Sequence, residues 1–456
     1  MRTQSVIRVL SVGLLVSLGC GGASPGDDEV GSAADTGTST KADADTSLES
    51  GSGTAESSGS ASDSTDASDS SATTLATEDT ADSGNHTKFD LGGVPDTGFM
   101  NCQGGNGDPE FSYLWAANSD QGTISKIDTN TVTELGRYIV RPDSAGSPSR
   151  TSVSLSGNVA VANRSGGVTK IYANQANCQD TNGTPGIQTS NSAAFLPWGQ
   201  EECIAWYTPF GYQSQRPVAW TKGEFNQGTC QYDNEELWTS GNNQNGHMDI
   251  LLLDGEDGSV KEMIQIPTGP NTLDDDYYGI YGGAVDGDGN FWGSQLGGER
   301  MVKVNHDDMS YEIVYTPGYG GWYGMTVDVD GMVWLCGYEA GRYDPMTQTW
   351  AVNSVGGAAG CMADANDNGL LWMADGSGIV GVNRDTLQVA KTCNLGGSYG
   401  ISIDFQGYVW AVAYGSLVSK VDPETCQTWT YNGLVGAYTY SDMTGYALTN
   451  AGTPSG

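Results

Sequence analysis

In the second half of the chain, short runs of alternating apolar and polar residues return in a fixed order. GGAVDGDGNFWGSQ carries Trp292, YGMTVDVDGMVWLCG carries Trp334, GCMADANDNGLLWMAD carries Trp372 and YGISIDFQGYVWAVA carries Trp410. Each reads as Gly, a short strand of period two, Asp, a Gly turn (Gly289, Gly331, Gly369, Gly407) and a second strand with Trp three residues beyond the turn. A Gly turn between two alternating runs predicts an antiparallel hairpin. A third strand follows and ends in a polar turn starter: Val304-Asn305, Tyr343-Asp344, Val382-Asn383 and Val421-Asp422. Asp and Asn suit those places because their side chains bond the backbone two residues on. A fourth strand, such as EIVYTP or QTWTYN, completes each unit. The later Trp residues recur about every forty residues, the period of a repeat architecture.

Earlier units are looser. Trp238 with Leu253-Asp254 marks one; Gly157 with Ala160 in the Trp slot marks another; Trp115 with Ile127-Asp128 marks the first. That first unit lacks an inner strand. TYSDMTGY, at residues 439–446, reads as the first strand of a repeat that never continues, so it can supply the missing piece. Four-stranded units closed radially make a β-propeller. The expectation is an all-β, seven-bladed propeller over residues 107–450, with six blades as the alternative count. A C-terminal strand joins the N-terminal blade, and an insertion spans about 173–202. The Trp side chains are expected to fill the space between blade faces.

The unit G-x-x-x-D-x-x-G-x-x-W, followed by a strand ending in V-D-P, resembles the repeat of virginiamycin B lyase-like and NHL-type propellers. It covers roughly residues 111–447. The lyase resemblance implies metal-assisted opening of a lactone by His and Glu near the central channel. The chain has three His, at positions 86, 247 and 306, and no Glu-x-His pair. That constellation therefore has no residue-by-residue counterpart here.

Composition adds an address. Arg2 and Arg8 precede an apolar run of about ten residues, too short to span a bilayer as a helix. The run ends in VSLGCGG, which resembles a bacterial lipobox with Cys20 as the lipidated residue; Ser17 stands where Leu is usual. An ordinary secretory signal is the plainer reading. Gly21 after the Cys implies sorting to the outer membrane, so the expectation is a cell-envelope lipoprotein. Residues 21–106 are Ser, Thr, Ala, Gly, Asp and Glu with almost no large apolar side chain, the composition of a disordered acidic tether. Residues 451–456 read as a polar tail. With 19 Lys and Arg against 55 Asp and Glu, the net charge of -36 argues against a nucleic-acid partner. Besides Cys20, eight Cys remain, an even number that points to disulfides in an exported chain. Cys178 with Cys203 and Cys336 with Cys361 are the favoured pairs.

Candidate chemistry gathers at one end of the propeller. The slot seven residues before the turn Gly is Gly in later units (Gly282, Gly324, Gly400) but Arg150 in the second, with Arg216 at the apparent equivalent in the third. Arg presents a fork that suits carboxylate or phosphate, so both are candidate ligand groups. Pairing with a channel acid, Asp442 foremost, is the competing expectation. Tyr278, Trp322, Tyr323 and Tyr399 precede inner strands and would rim the same mouth, as would His247. In the insertion, Asp180, Asn182 and Thr184 alternate as in a calcium loop, though Pro185 replaces the turn Gly and no acid stands at Asn191. Asx turns in a disulfide-stapled loop are the alternative to calcium. The functional expectation is a membrane-anchored, monomeric binding or scaffolding module for a peptide, glycan or protein partner. A metal-dependent lyase or hydrolase is the alternative.

Overall fold

The computed structural model describes residues 111–226, 231–318, 321–357, 359–366 and 369–454. Main-chain contacts divide the chain into Met1–Ala81 and Asp82–Gly456, and every described residue belongs to the second unit. The signal, Cys20 and the whole tether lie outside the described residues.

Seven antiparallel sheets follow one another in chain order. Blade one has three strands, Tyr113–Asn118, Thr123–Asp128 and Thr133–Ile139; every later blade has four. The inner strands of blades two to seven are Pro148–Val153, Ser214–Trp220, Gly282–Val285, Gly324–Val327, Cys361–Ala363 and Gly400–Ile403. A short hairpin, Glu224–Asn226 with Gln231–Asp233, is added after the inner strand of blade three. The only helix among the described residues longer than one turn of 3-10 geometry is Tyr446–Asn450.

The repeated Asp and Trp form one device. Trp292, Trp334 and Trp410 are buried between blades. Their indole N–H groups donate to Asp286, Asp328 and Asp404 at 3.0, 2.8 and 2.8 Å. The other oxygen of each carboxylate accepts two backbone N–H groups of its turn. One side chain thus satisfies the hairpin turn and the ring, at the place where either donor left alone would cost about 1–3 kcal/mol. Trp115 shows the converse. Blade one has no such hairpin, and its indole N–H has no partner among the described residues.

A cation opposite the Trp slot laces neighbouring blades, a pattern the sequence reading missed. Lys126, Lys170, Arg342 and Lys420 pair in register with Trp115, Ala160, Trp334 and Trp410. Lys170 Nζ reaches Gly255 O of the next blade at 2.7 Å, Arg342 reaches Arg384 O at 2.6 Å and Lys420 reaches Thr129 O at 2.7 Å. Lys126 donates likewise to Ala173 O. Burial drives the Lys126 ammonium down to about 8.

The ring closes through the C-terminal segment as expected, but on an irregular backbone that starts upstream of TYSDMTGY, over residues 436–443. Ser119 N donates to Gly436 O at 3.1 Å, Tyr438 N to Ala117 O at 3.3 Å and Trp115 N to Met443 O at 2.8 Å, with a single antiparallel bridge from Asn118 to Ala437. Ser441 Oγ also ties the segment to blade two, accepting from Thr151 N and donating to Thr151 O. The segment then turns into the helix. Its Leu448 packs with blades two to four, and Tyr446 donates to Asp364 of blade six. The last residues are not loose: Gly287 N donates to Gly452 O at 2.8 Å and Gly452 N to Asp328 O at 2.9 Å.

Both favoured disulfides are present, Cys178–Cys203 and Cys336–Cys361, and a third joins Cys393 to Cys426 across blades six and seven. Cys102 and Cys230 lie outside the described residues.

Deleting residues 436–456 removes all three seam bonds (the clasp), the helix and the tail contacts together. The expected outcome is loss of a single cooperative thermal transition and rapid proteolysis within blade one. A truncated chain with full thermal stability would contradict ring closure.

Candidate functional site

Register explains why the mouth is asymmetric. Gly282, Gly324 and Gly400 pair two residues beyond their blade's Trp, and Arg150 pairs at the same position in blade two, opposite Ala162. Arg216 takes this place in blade three, at a bulge. A Cβ at Gly400 would meet Thr439 O at 1.8 Å, so the closing segment lies against that side of the channel. Arg150 and Arg216 enter from the facing side. Both are buried.

Between them stands a cluster of tyrosines. Tyr281, Tyr438 and Tyr440 are buried, with Tyr278, Tyr323 and Tyr399 half-buried against them. Their hydroxyls converge on Tyr438. Tyr281 Oη lies at 2.6 Å, Tyr440 Oη donates at 3.2 Å, and Tyr323 is in hydrogen-bond contact. Tyr399 Oη donates to Tyr323 at 2.7 Å. Burial, reinforced by the neighbouring phenols, holds the Tyr323 hydroxyl far above the ordinary phenol range, so it stays protonated. The guanidinium of Arg150 lies 3.3 Å over the Tyr440 ring, and Arg216 lies 4.8 Å from both Tyr278 and Tyr281. Desolvated contacts of this type are worth up to about 2 kcal/mol each.

The expected Arg–Asp442 pair is replaced by a different arrangement. Arg150 donates to Tyr440 O at 3.0 Å and Tyr323 O at 3.4 Å. Asp442 instead caps the final helix: its carboxylate accepts from Thr444 N, Gly445 N and Leu448 N at 3.2, 2.9 and 3.4 Å. Burial raises its carboxyl to about 6 despite those bonds. With Ser152, Thr326 and Ser441 it lines an axial cavity of about 30 Å³, room for about two waters.

The other sequence candidates divide. Tyr278, Tyr323 and Tyr399 come together at the mouth. Trp322 does not face it: the ring is 3% exposed, packs with Trp292, Met325 and Tyr343, and donates to Pro317 O. His247 lies on the outer part of blade three, half-exposed, 3.4 Å from Asp249 and 2.9 Å from Gln265. His306 lies against Glu236 at 2.5 Å, in an outer turn. Among the described residues no group of three or more His, Cys, Asp or Glu converges as a metal site. The lyase constellation is not matched by the residues present, and no step is derived through a metal. In the insertion, Asp180 and Asn182 accept from Gly183 N and Thr184 N as Asx turns. Glu202 reaches back across the loop, accepting from Thr181, Asn182 and Gln188 N–H groups, and the Gln188 bond foremost lowers its carboxyl. Sequence reading missed Tyr281, Tyr438, Tyr440 and Arg164. Tyr281 stands immediately before its inner-strand Gly, as Tyr323 and Tyr399 do, so its repeat position was readable; Tyr438 and Tyr440 lie in the closing segment and Arg164 follows the second strand of blade two, where no repeat position marks them.

No family model and no curated protein matches the chain. Among solved structures, virginiamycin B lyase from Staphylococcus aureus aligns with a TM-score of 0.42 at 14% identity, covering 62% of this chain and 83% of the lyase. A streptogramin B lyase aligns with a TM-score of 0.45 at 14% identity, over 71% of this chain and 90% of that one. A functionally unknown protein from Desulfotomaculum acetoxidans aligns with a TM-score of 0.49 at 11% identity, over 73% and 100%.

Asp442 generates a pH prediction. Its folded carboxyl titrates near 6, above the unfolded value near 4, so its contribution is complete below about pH 4 and is lost as pH rises through 6. Asp442→Asn should remove that loss, so the variant's melting temperature relative to the native chain should climb from pH 4 to pH 7. A constant or shrinking difference would show that the carboxyl is not held protonated. The chain is a seven-bladed β-propeller with a mouth built of tyrosine and arginine.

Proposed function

We propose that the protein is a binding module that holds a peptide, glycan or protein partner at the tyrosine-lined mouth. The observation that carries this reading is the convergence of five phenol hydroxyls, from Tyr281, Tyr323, Tyr399, Tyr438 and Tyr440, above two guanidinium groups at one end of the axis. Concave aromatic surfaces with a few fixed polar groups are what ligand sites require. Tyr277 and Tyr414 extend this floor to solvent, with 53% and 69% of their surface exposed. Tyr277 leans on Tyr278, and Tyr414 on Tyr399 and Tyr438. Exposed rings continuous with a fixed floor offer stacking at little entropic cost.

The N-terminal lipobox and acidic composition support a tethered setting. In this reading Cys20 carries the lipid, residues 21–106 form the spacer, and the propeller is held at the cell envelope, at the outer membrane. Calcium in the insertion, held by Asp180, Asn182 and Thr184, would be structural and remote in function from the mouth.

Two experiments test this. Replacing Tyr277 and Tyr414 together by Ala should weaken capture of a partner, selected from peptide and glycan arrays, by at least about tenfold, on the usual worth of stacked rings. The melting temperature should stay unchanged. Unaltered capture would remove the mouth as the binding surface. In a bacterial host, Cys20→Ala should move the protein from the membrane fraction to the soluble fraction, and persistence in the membrane would contradict lipid anchoring.

A further inference from the structure

The mouth contains a third arginine, and its geometry points to the class of ligand. Arg164 follows the second strand of blade two (Val159–Asn163). Its guanidinium lies 4.8 Å from the Tyr438 ring. The rings of Tyr438 and Tyr440 are 4.9 Å apart, Arg150 lies over Tyr440 at 3.3 Å and near Tyr281 at 4.8 Å, and Arg216 lies 4.8 Å beyond Tyr281. Three guanidinium groups are thus interleaved with tyrosine rings. This occurs in a chain whose acids outnumber its bases by 55 to 19.

Each cation is held, but among the described residues two have no ionic partner. Arg216 has Asp276 acting on it; that carboxylate accepts from Tyr278 N and Gly297 N at 3.0 and 2.8 Å. Arg150 bonds only carbonyl oxygens, its Nε has no hydrogen-bond partner, and it is 2% exposed. Arg cannot shed its proton to escape burial, so an unpaired guanidinium here carries a standing desolvation cost. Arg164 is half-buried, and Ser147 holds one edge of its fork: Nε lies 3.1 Å from the Ser147 hydroxyl, which Nη2 also contacts. Nη1 makes no hydrogen bond among the described residues.

The backbone that supplies this hold is strained. Ser147 has φ of 52°, in the left-handed region, and immediately precedes Pro148. Both features disfavour that conformation. Strain kept by the surrounding structure marks positions with a task, and here the hydroxyl fixes the Arg164 plane. A planar fork, stacked on one face and held at one edge, is set up for the two oxygens of an oxyanion.

We propose that the mouth recognises an oxyanion, a carboxylate or a phosphate, through the open edge of Arg164, with Arg150 beneath Tyr440 supplying the positive field. This rests on the reading of the mouth as the binding surface and names the group that surface reads. The ligand binds without reacting, and the tyrosine hydroxyls and the exposed Tyr414 and Tyr277 rings accommodate the rest of it.

The test titrates the purified full chain with inorganic phosphate and, separately, with acetate, at fixed ionic strength in chloride, by calorimetry and melting temperature. Saturable binding of one or both is expected, and which anion binds more tightly identifies the oxyanion. Arg164→Ala should raise the apparent Kd at least tenfold. Arg164→Lys, which keeps the charge and loses the fork, should recover only part of the affinity. Lys261→Ala, at a residue paired with Glu236, should bind like the native chain. If Arg164→Ala folds poorly, Arg164→Gln serves in its place. Absence of saturable binding, or equal loss in the Lys261 and Arg164 variants, would overturn the proposal. A neutral partner whose capture depends on Tyr277 and Tyr414 but not on Arg164 would also overturn it, while leaving the mouth as the binding surface. Loss of dependence on those tyrosines would instead remove the mouth itself.

Discussion

A propeller with an open seam exposes two unpaired strand edges, so the seam is the constraint on which the rest depends. Here three main-chain bonds close it, from residues 436–443 to the inner edge of blade one. Local pairing within each blade cannot substitute for them, because each four-stranded sheet buries its faces only against its neighbours. The same residues do more than close the ring. Tyr438 and Tyr440 project into the mouth, Ser441 bonds blade two, Asp442 caps the helix, and Met443 packs between the first and last blades. Closure, channel filling and the candidate site are carried by one short segment.

Two further fasteners recur among the blades. Asp in the hairpin turn satisfies both the turn and the buried indole in blades four, five and seven. The cation opposite the Trp slot bonds a carbonyl of the next blade at four junctions, from blades one, two, five and seven. These bonds cross between sheets rather than within them. Disulfides add to the same seams: Cys336–Cys361 and Cys393–Cys426 each join adjacent blades. Where blade one lacks the Asp turn, the Trp115 indole is left without its bond, and the closing strand takes over the role of the missing hairpin.

The fold was legible in the sequence because its determinants are local and repeat. The Gly turn, the Asp before it and the Trp after it sit at fixed spacing, and the lone TYSDMTGY strand signalled closure. The register of Arg150 with the inner-strand glycines was also readable, since it depends only on counting from a turn. The mouth was less legible. Tyr438 and Tyr440 come from the closing segment and Arg164 from blade two, and only closure brings them beside Tyr281 of blade four. Trp322 misled for a related reason: it precedes an inner strand as Tyr399 does, yet its ring turns into the core of blade five. Asp442 misled because a capping role depends on the helix that follows, and five residues of helix leave little periodicity to read.

The central claim is that the C-terminal segment is an integral part of blade one and carries the floor of the mouth. Native-state hydrogen exchange tests this most directly. The amides of Trp115 and Tyr438, which donate across the seam, should exchange with the same free energy as amides in the middle strands of blades four and five. That result places the seam inside the global cooperative unit. Exchange of Trp115 and Tyr438 orders of magnitude faster than those strands would show that the segment detaches on its own, and would contradict both the closure and a fixed mouth built upon it.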